Sequence, residues 1–237
     1  MMYENAAVLL SMKPGSRIVD LGCGNGARTA KLAGAGYDVV GVDDSPGMIA
    51  LARKNYPDLP FILADVLDFR PDRPADAVVS SAVLNRIPAE DQDTLLANIA
   101  ACLRVEGEFV FETGGRGNHA QIHGTLADLF RERGLEYRTS YYFPSIGDYT
   151  PKLERAGMAV DFSAQFKRSA PQKSEHAIID WILTSDREPF GDLPETEIRS
   201  IAAEAETRLR SRLFREGVWY LDDVRLQMKA RRRADPD

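Results

Sequence analysis

Along the first half of the chain, short apolar runs alternate with amphipathic stretches. "SRIVDLG" (Ser16–Gly22) predicts a buried strand, and "ARTAKLAGAG" a helix stopped by Gly34 and Gly36. "YDVVGVD" predicts a second strand, followed by a helix from Ser45 to Lys54 with Pro46 in its first turn. "PFILAD", "ADAVVSS" and "GEFVFET" predict strands three to five. Between the last two, a helix from Ala89 to Leu103 carries Leu95, Leu96, Ile99 and Leu103 on one face. Strands alternating with helices imply right-handed βαβ units and a parallel sheet covered on both faces.

Beyond Gly114 the pattern loosens. "GNHAQIHGTLADLFRERG" and "SIGDYTPKLERAG" read as helices and "MAVDFSAQFKR" as a strand. Residues 171–216 read as helical, and "VWYLDDVRLQMKA" (Val218–Ala230) as a final strand. The expectation is one domain over residues 1–237: a cofactor-binding core at 14–113, a substrate and cap region at 114–217 with a helical insertion at 171–216, and a last strand at 218–230. Trp219 is expected in the core of that strand, with Asp222 and Asp223 solvated or paired with Arg225.

Composition adds limits. At 237 residues, 44% hydrophobic and 28% charged, the chain is an ordinary globular one. No apolar run of ~18 residues predicts a membrane span, and the first fifteen residues lack the basic n-region of a signal peptide. Cys23 and Cys102 lie in apolar surroundings and read as buried thiols, which fits a cytoplasmic protein. The net charge of −6 argues against broad capture of nucleic acid. The basic run at the C-terminus, "KARRRADPD", reads as a solvated tail. No partner beyond a small-molecule substrate is indicated, and monomer and homodimer both stay open.

The chemistry concentrates in "VDLGCGNG". Gly22, Gly24 and Gly26 after a buried strand let a ligand approach the backbone. No Gly-Lys-Ser/Thr follows, so the loop is not a P-loop, and its G-x-G-x-G spacing departs from the dinucleotide G-x-G-x-x-G. Asp20 is poorly placed beside a pyrophosphate and well placed beside an ammonium or sulfonium. Asp43 can accept from ribose hydroxyls, and Asp65 from an adenine amine. Three acids at three strand ends suit S-adenosylmethionine better than a nicotinamide dinucleotide.

"VDLGCGNG", "GVDDSPGM" and "LADV", in this order, resemble the cofactor motifs of class I S-adenosylmethionine-dependent methyltransferases. The resemblance implies an α/β, Rossmann-like, doubly wound and mostly parallel seven-stranded sheet with its last strand antiparallel, plus a helical cap. It implies that Asp20, Gly22 and Gly24 line the methionine part, with Cys23 and Gly26 in the same loop. Asp43 would hold the ribose, and Asp44 and Met48 would border the adenine. Asp65 and Val66 would meet its polar edge, and Ser80 and Ser81 would close the site; the product would be S-adenosylhomocysteine.

The downstream stretches "FETGGRGNHAQI", "YYFPSIGDYTPKLERAG" and "LFREGVWYLDDVRL" are similar to carboxylate methyltransferases related to trans-aconitate methyltransferase. Those relatives often carry a His-Trp pair where this chain reads "LNRI". Carboxylate O-methylation is the first expectation. N- or C-methylation of a metabolite, or a regulatory or cyclase-like cofactor binder, is the alternative. Asn85, Arg86, Arg116, Tyr141 and Tyr142 are the substrate-binding candidates, with Phe143 completing an aromatic wall. His119 and Arg86 are the candidate catalytic groups. His119 and His123 share a helix face, where a surface pair is expected in preference to a metal site.

Overall fold

The computed structural model describes residues 6–185 and 187–234. After a 3-10 turn at Ala6–Leu9, the elements are β1 (Arg17–Leu21), α1 (Ala27–Gly34), β2 (Asp38–Asp43), α2 (Pro46–Asn55), β3 (Phe61–Leu63) and β4 (Ala75–Ser81). Then come a 3-10 turn (Leu84–Arg86), α3 (Gln92–Cys102), β5 (Leu103–Gly114), α4 (Ala120–Glu132), α5 (Ile146–Arg155) and β6 (Met158–Arg168). The chain continues through α6 (Ala177–Ser185), a 3-10 turn (Glu188–Phe190), α7 (Glu195–Leu213), β7 (Phe214–Arg215), β8 (Val218–Trp219) and β9 (Asp223–Arg232).

Seven strands form one sheet in the order β3-β2-β1-β4-β5-β9-β6. β1 to β5 pair in parallel, and β9 runs antiparallel to both β5 and β6. The central strands are apolar toward both faces, as a sheet covered on both sides requires. One face packs Val19, Val78, Phe109 and Phe111 against Leu95 and Ile99 of α3 and Tyr149 and Leu153 of α5. The other packs Ile18, Val39, Val79 and Val110 against Leu32 of α1, with α2 beside it through Ile49 and Ala52. A separate apolar cluster joins Leu126 and Leu129 of α4, Ile178 and Ile182 of α6, Ile201 and Leu209 of α7, and Trp219.

Several expectations change. The helix before β5 begins at Gln92, not Ala89, because Pro88–Asp91 form a turn that precedes it. The final strand is two pieces. Val218–Trp219 pairs with Phe214–Arg215 in a small hairpin, and β9 starts afresh at Asp223. Trp219 therefore packs among the helices of the extra cluster, not in the main sheet. The basic C-terminal run is not a solvated tail through Arg232. It completes β9, where Lys229 pairs with Glu108, and Arg231 with Glu106 and Asp161. Its last three residues, 235–237, lie outside the described residues, as do the first five of the segment read for a signal peptide.

The sheet order reverses direction between β1 and β4, one connection running outward to β2 and the other to β5. At such a switch point the loops at the carboxyl ends separate and leave a crevice for a ligand. The glycine loop after β1 and the Leu84–Arg86 turn after β4 flank it.

Candidate functional site

The glycine loop is built for close approach. Gly22, Gly24 and Gly26 all have positive φ, which an L side chain rarely adopts. A Cβ on Gly22 would sit 1.9 Å from Val83 Cγ2, so the loop and the turn after β4 touch only because Gly22 has no side chain. A Cβ on Gly24 would meet nothing within 4 Å. The loop backbone there faces open space, a cradle left for a ligand.

Asp43 organises this cradle. Its Oδ2 accepts from the Gly24 amide at 2.9 Å and its Oδ1 from the Ser45 amide at 3.0 Å, so the half-buried carboxylate still has lone pairs to offer. Ser45 caps α2, accepting from the Met48 amide; Asp44 and Met48 stand exposed beside it. Asp65 is exposed, with Oδ1 closing a local turn on the Leu67 amide, while Val66 is buried in the core. The acceptor set therefore fits a nucleoside: a carboxylate beside the glycines for a diol, and a second exposed carboxylate for an exocyclic amine.

Other predicted residues take different positions. Asp20 is fully buried, its oxygens held by Arg28 and Thr29. Ser80 is buried and donates to the Leu21 carbonyl at 3.0 Å, tying β4 to β1, whereas Ser81 is half-buried. Cys23 packs with Ile49 and Phe61; burial, then the Asp20 and Asp43 charges, push its thiol up to about 12, so it stays protonated.

Past β4, Asn85 and Arg86 ride on a pinned turn. The buried Gln92 amide donates to the carbonyls of Leu84 and Ile87, both at 2.8 Å, and accepts from the Tyr149 hydroxyl at 2.7 Å. Asn85 Oδ1 accepts from Thr113 Oγ1 at 3.0 Å and its carbonyl from the Tyr142 amide, while its side-chain NH2 makes no hydrogen bond among the described residues. Arg86 is exposed, has no carboxylate partner among the described residues, and lies 6.0 Å from the Tyr141 ring centroid. Arg116 is engaged instead with Asp148 at 2.6 Å.

Tyr141 and Tyr142 belong to an irregular segment and diverge. Tyr141 stacks on Phe143 and faces His123, while Tyr142 packs toward Tyr149. The Phe143 ring lies where a Cβ on Gly114 would go.

The two histidines are not a surface pair. His119 is buried, takes a left-handed backbone at the start of α4, and places Nε2 2.6 Å from Asp223. Asn118 Oδ1 accepts from the Val224 amide, so its Nδ2 is turned to His119 Nδ1 at 3.3 Å. Nδ1 is thus the acceptor and Nε2–H the donor, and both nitrogens are engaged. Of the two acids expected to be solvated or paired with Arg225, Asp223 is buried and does pair with it, while Asp222 is half-buried. Asp222 accepts from the Gln121 amide, and Asp223 meets His119, Arg168 and Arg225, with Arg168 reaching on to Glu112. Burial alone would raise the Asp223 carboxyl, but the His119 hydrogen bond and the two arginines outweigh it and hold it low.

His123 lies among Tyr137, Tyr141, Phe143 and Trp181, with Nδ1 2.6 Å from the Tyr137 hydroxyl. Burial, helped by His119, pushes its pKa from the ordinary 6.5 down to about 4. The unfolded chain then binds more protons across that interval, so stability is full above pH 6.5 and falls as pH drops toward 4. Urea unfolding at pH 7 and pH 5 is expected to show a loss of about 1–2 kcal/mol that His123→Phe removes. An unchanged pH dependence in the variant would refute this.

A cavity of about 750 Å³ is bounded by Arg116, Lys167, Arg168, Arg215, Tyr220 and Asp222. It lies at the ends of β6 and β9, and no glycine-loop residue lines it.

Comparison with known proteins gives the family. A methyltransferase-domain family model matches residues 18–107. The trans-aconitate 2-methyltransferase of Enterobacter sp. (strain 638) is 30% identical over 179 residues, covering 74% of this chain and 69% of that protein. The uncharacterized methyltransferase C70.08c of Schizosaccharomyces pombe is 28% identical over 236 residues, covering 93% and 88%. An S-adenosylmethionine-dependent methyltransferase from Mesorhizobium loti superposes with a TM-score of 0.58 at 20% identity, covering 96% and 95% of the two chains. The chain belongs to the class I S-adenosylmethionine-dependent methyltransferases. It is an enzyme whose cofactor is S-adenosylmethionine, carried on the mostly parallel seven-stranded sheet with one antiparallel strand. Among the described residues no helix is long and apolar enough to cross a membrane.

Proposed function

We propose that this methyltransferase methylates a carboxylate oxygen of a small di- or tricarboxylic acid. The observation that carries the reading is Arg86: an exposed guanidinium without a carboxylate partner among the described residues, on the turn that touches the glycine loop through Val83. Arginine's planar fork suits a carboxylate. The open NH2 of Asn85, one residue away, is a second donor for the same acceptor. The similarity to trans-aconitate 2-methyltransferases supports this substrate class.

When bound, the cofactor supplies an electrophilic methyl group on a sulfonium sulfur. The protein's share is to bind, orient and exclude water. Asp43 would accept from the ribose hydroxyls and Asp65 from the adenine amine, with Asp44 and Met48 along the ring. Arg86 and Asn85 would fix the acceptor carboxylate, which is ionised at neutral pH and needs no base. The engagement of both His119 nitrogens fits that economy and makes His119 a post between α4 and β9. Tyr141 and Phe143, with His123 and Trp181 behind them, would wall the acceptor side. The helices α4, α6 and α7 would form its cap.

Arg86→Ala is expected to raise KM for the acceptor about tenfold or more while leaving the dissociation constant for S-adenosylhomocysteine unchanged. Steady-state kinetics with a panel of di- and tricarboxylic acids, and amines as controls, test the reading. Ester formation on an acid supports it. Turnover on amines or carbon acids alone would overturn it in favour of N- or C-methylation.

A further inference from the structure

Asp20 occupies the position at which a carboxylate would be expected to meet the charged amine of the cofactor's methionine end, yet it has no surface to offer. It is 0% exposed. Thr29 Oγ1 donates to Oδ2 at 2.6 Å, and Arg28 Nε donates to Oδ1 at 2.6 Å, with Nη2 closing the ion pair. A carboxylate so enclosed contributes through its partner, and the partner is a cation.

Arg28 is held against the glycine loop itself. Its Nη2 also donates to the carbonyls of Gly22 at 3.2 Å and Leu21 at 3.4 Å. Each of these bonds uses Nε or Nη2. None of the bonds among the described residues uses Nη1, and the side chain keeps 19% of its surface exposed. The result is a guanidinium fixed against the first loop glycine through Nε and Nη2, with Nη1 not among the buried atoms and its two N–H donors unused among the described residues. Such a group selects an anion. The cofactor carries one at this end, the α-carboxylate, and the neighbouring loop groups do not compete: Asp43 is an acid bonded to Gly24, and Cys23 is a protonated thiol.

We propose that Arg28 is the receptor for the cofactor's carboxylate and that Asp20 and Thr29 are positioning residues that hold its fork. The methionine end is then recognised by a cation, the reverse of the polarity that the acid before the glycines suggests. The proposal rests on the cofactor assignment and not on the acceptor.

The test is calorimetric binding, without turnover, of three ligands. They are S-adenosylhomocysteine, its decarboxylated analogue (the 3-aminopropyl thioether of adenosine) and its deaminated analogue (the 3-carboxypropyl thioether). In the wild type, removing the carboxylate is expected to weaken binding about tenfold or more, and removing the amine to weaken it less. Arg28→Lys keeps the charge on Asp20 but loses the fork. It is expected to weaken S-adenosylhomocysteine while leaving the decarboxylated analogue unchanged. The double variant Asp20→Asn/Arg28→Met, checked by thermal melting, avoids a buried unpaired carboxylate and is expected to bind the two ligands alike.

Equal binding of S-adenosylhomocysteine and the decarboxylated analogue by the wild type would overturn the proposal. So would a ratio between these two ligands that stays unchanged in Arg28→Lys. If none of the three ligands bound the wild type, the cofactor assignment would fail first.

Discussion

Asp43→Ala is expected to weaken S-adenosylmethionine binding by about 100-fold or more, because three charge-assisted or backbone contacts vanish together. The carboxylate fixes the Gly24 amide and the Ser45 amide, so its loss releases both the glycine loop and the cap of α2. In the proposed role it also loses the ribose contact. The stability cost should be smaller, about 1–2 kcal/mol, because the residue is half-buried and the freed amides can reach water. Calorimetric titration against S-adenosylmethionine, with thermal unfolding alongside, separates the two effects. Binding within a few-fold of the wild type would remove Asp43 from the site. Asp43→Asn should fall between, since the amide oxygen can replace only one acceptor.

The second large effect is steric. Gly22→Ala puts a methyl group 1.9 Å from Val83 Cγ2 at a residue whose φ is +71°. The left-handed backbone costs an L residue about 1–2 kcal/mol, and the overlap adds about 1–3 kcal/mol more. Relief by movement would displace the turn that carries Asn85 and Arg86, so acceptor KM should rise along with the loss of stability. Adding Val83→Ala removes the overlapping methyl, although Val83 Cβ, at 3.3 Å, is still close. The double variant should therefore recover part of the stability and keep the backbone cost. A double-mutant cycle by urea unfolding measures the coupling. Additive effects would mean that the loop and the turn do not bear on each other.

The core and the loop were legible because their signals are local. Apolar runs such as Arg17–Leu21 and Asp38–Asp43 mark strands buried on both faces, and glycines mark where φ turns positive. The acids at the strand ends pointed to a nucleoside with a cationic part before any packing was known. Local signals do not reach the surroundings of Asp20, which is buried against Arg28 and Thr29. Whether a carboxylate faces a ligand or a neighbouring arginine depends on which side chain the following helix presents, and Arg28 gave no signal of its own. The Ser80 hydroxyl likewise turns to a carbonyl on the neighbouring strand, which no local signal marks.

The second half was read less well because its partners are far apart. His119 and Asp223 are separated by 104 residues and meet only when β9 enters the sheet between β5 and β6. Spacing four apart put His119 and His123 on one face, but the packing of α6 decided that the face is buried. Gln92 falls inside the expected helix with no signal of its own, and only the meeting of α3 with α5 makes it the pin of the turn after β4. The basic residues from Lys229 to Arg232 looked like a tail until β9 paired with β5 and β6 and gave them carboxylates.

By itself, then, the sequence determined the alternation of strands and helices, the glycine loop and the cofactor, because backbone conformation and burial periodicity are set within a few residues. The tertiary structure decided which charges stay available to a ligand. Hydrogen-bond capacity is finite, and long-range packing determines whether a neighbouring side chain has already used it.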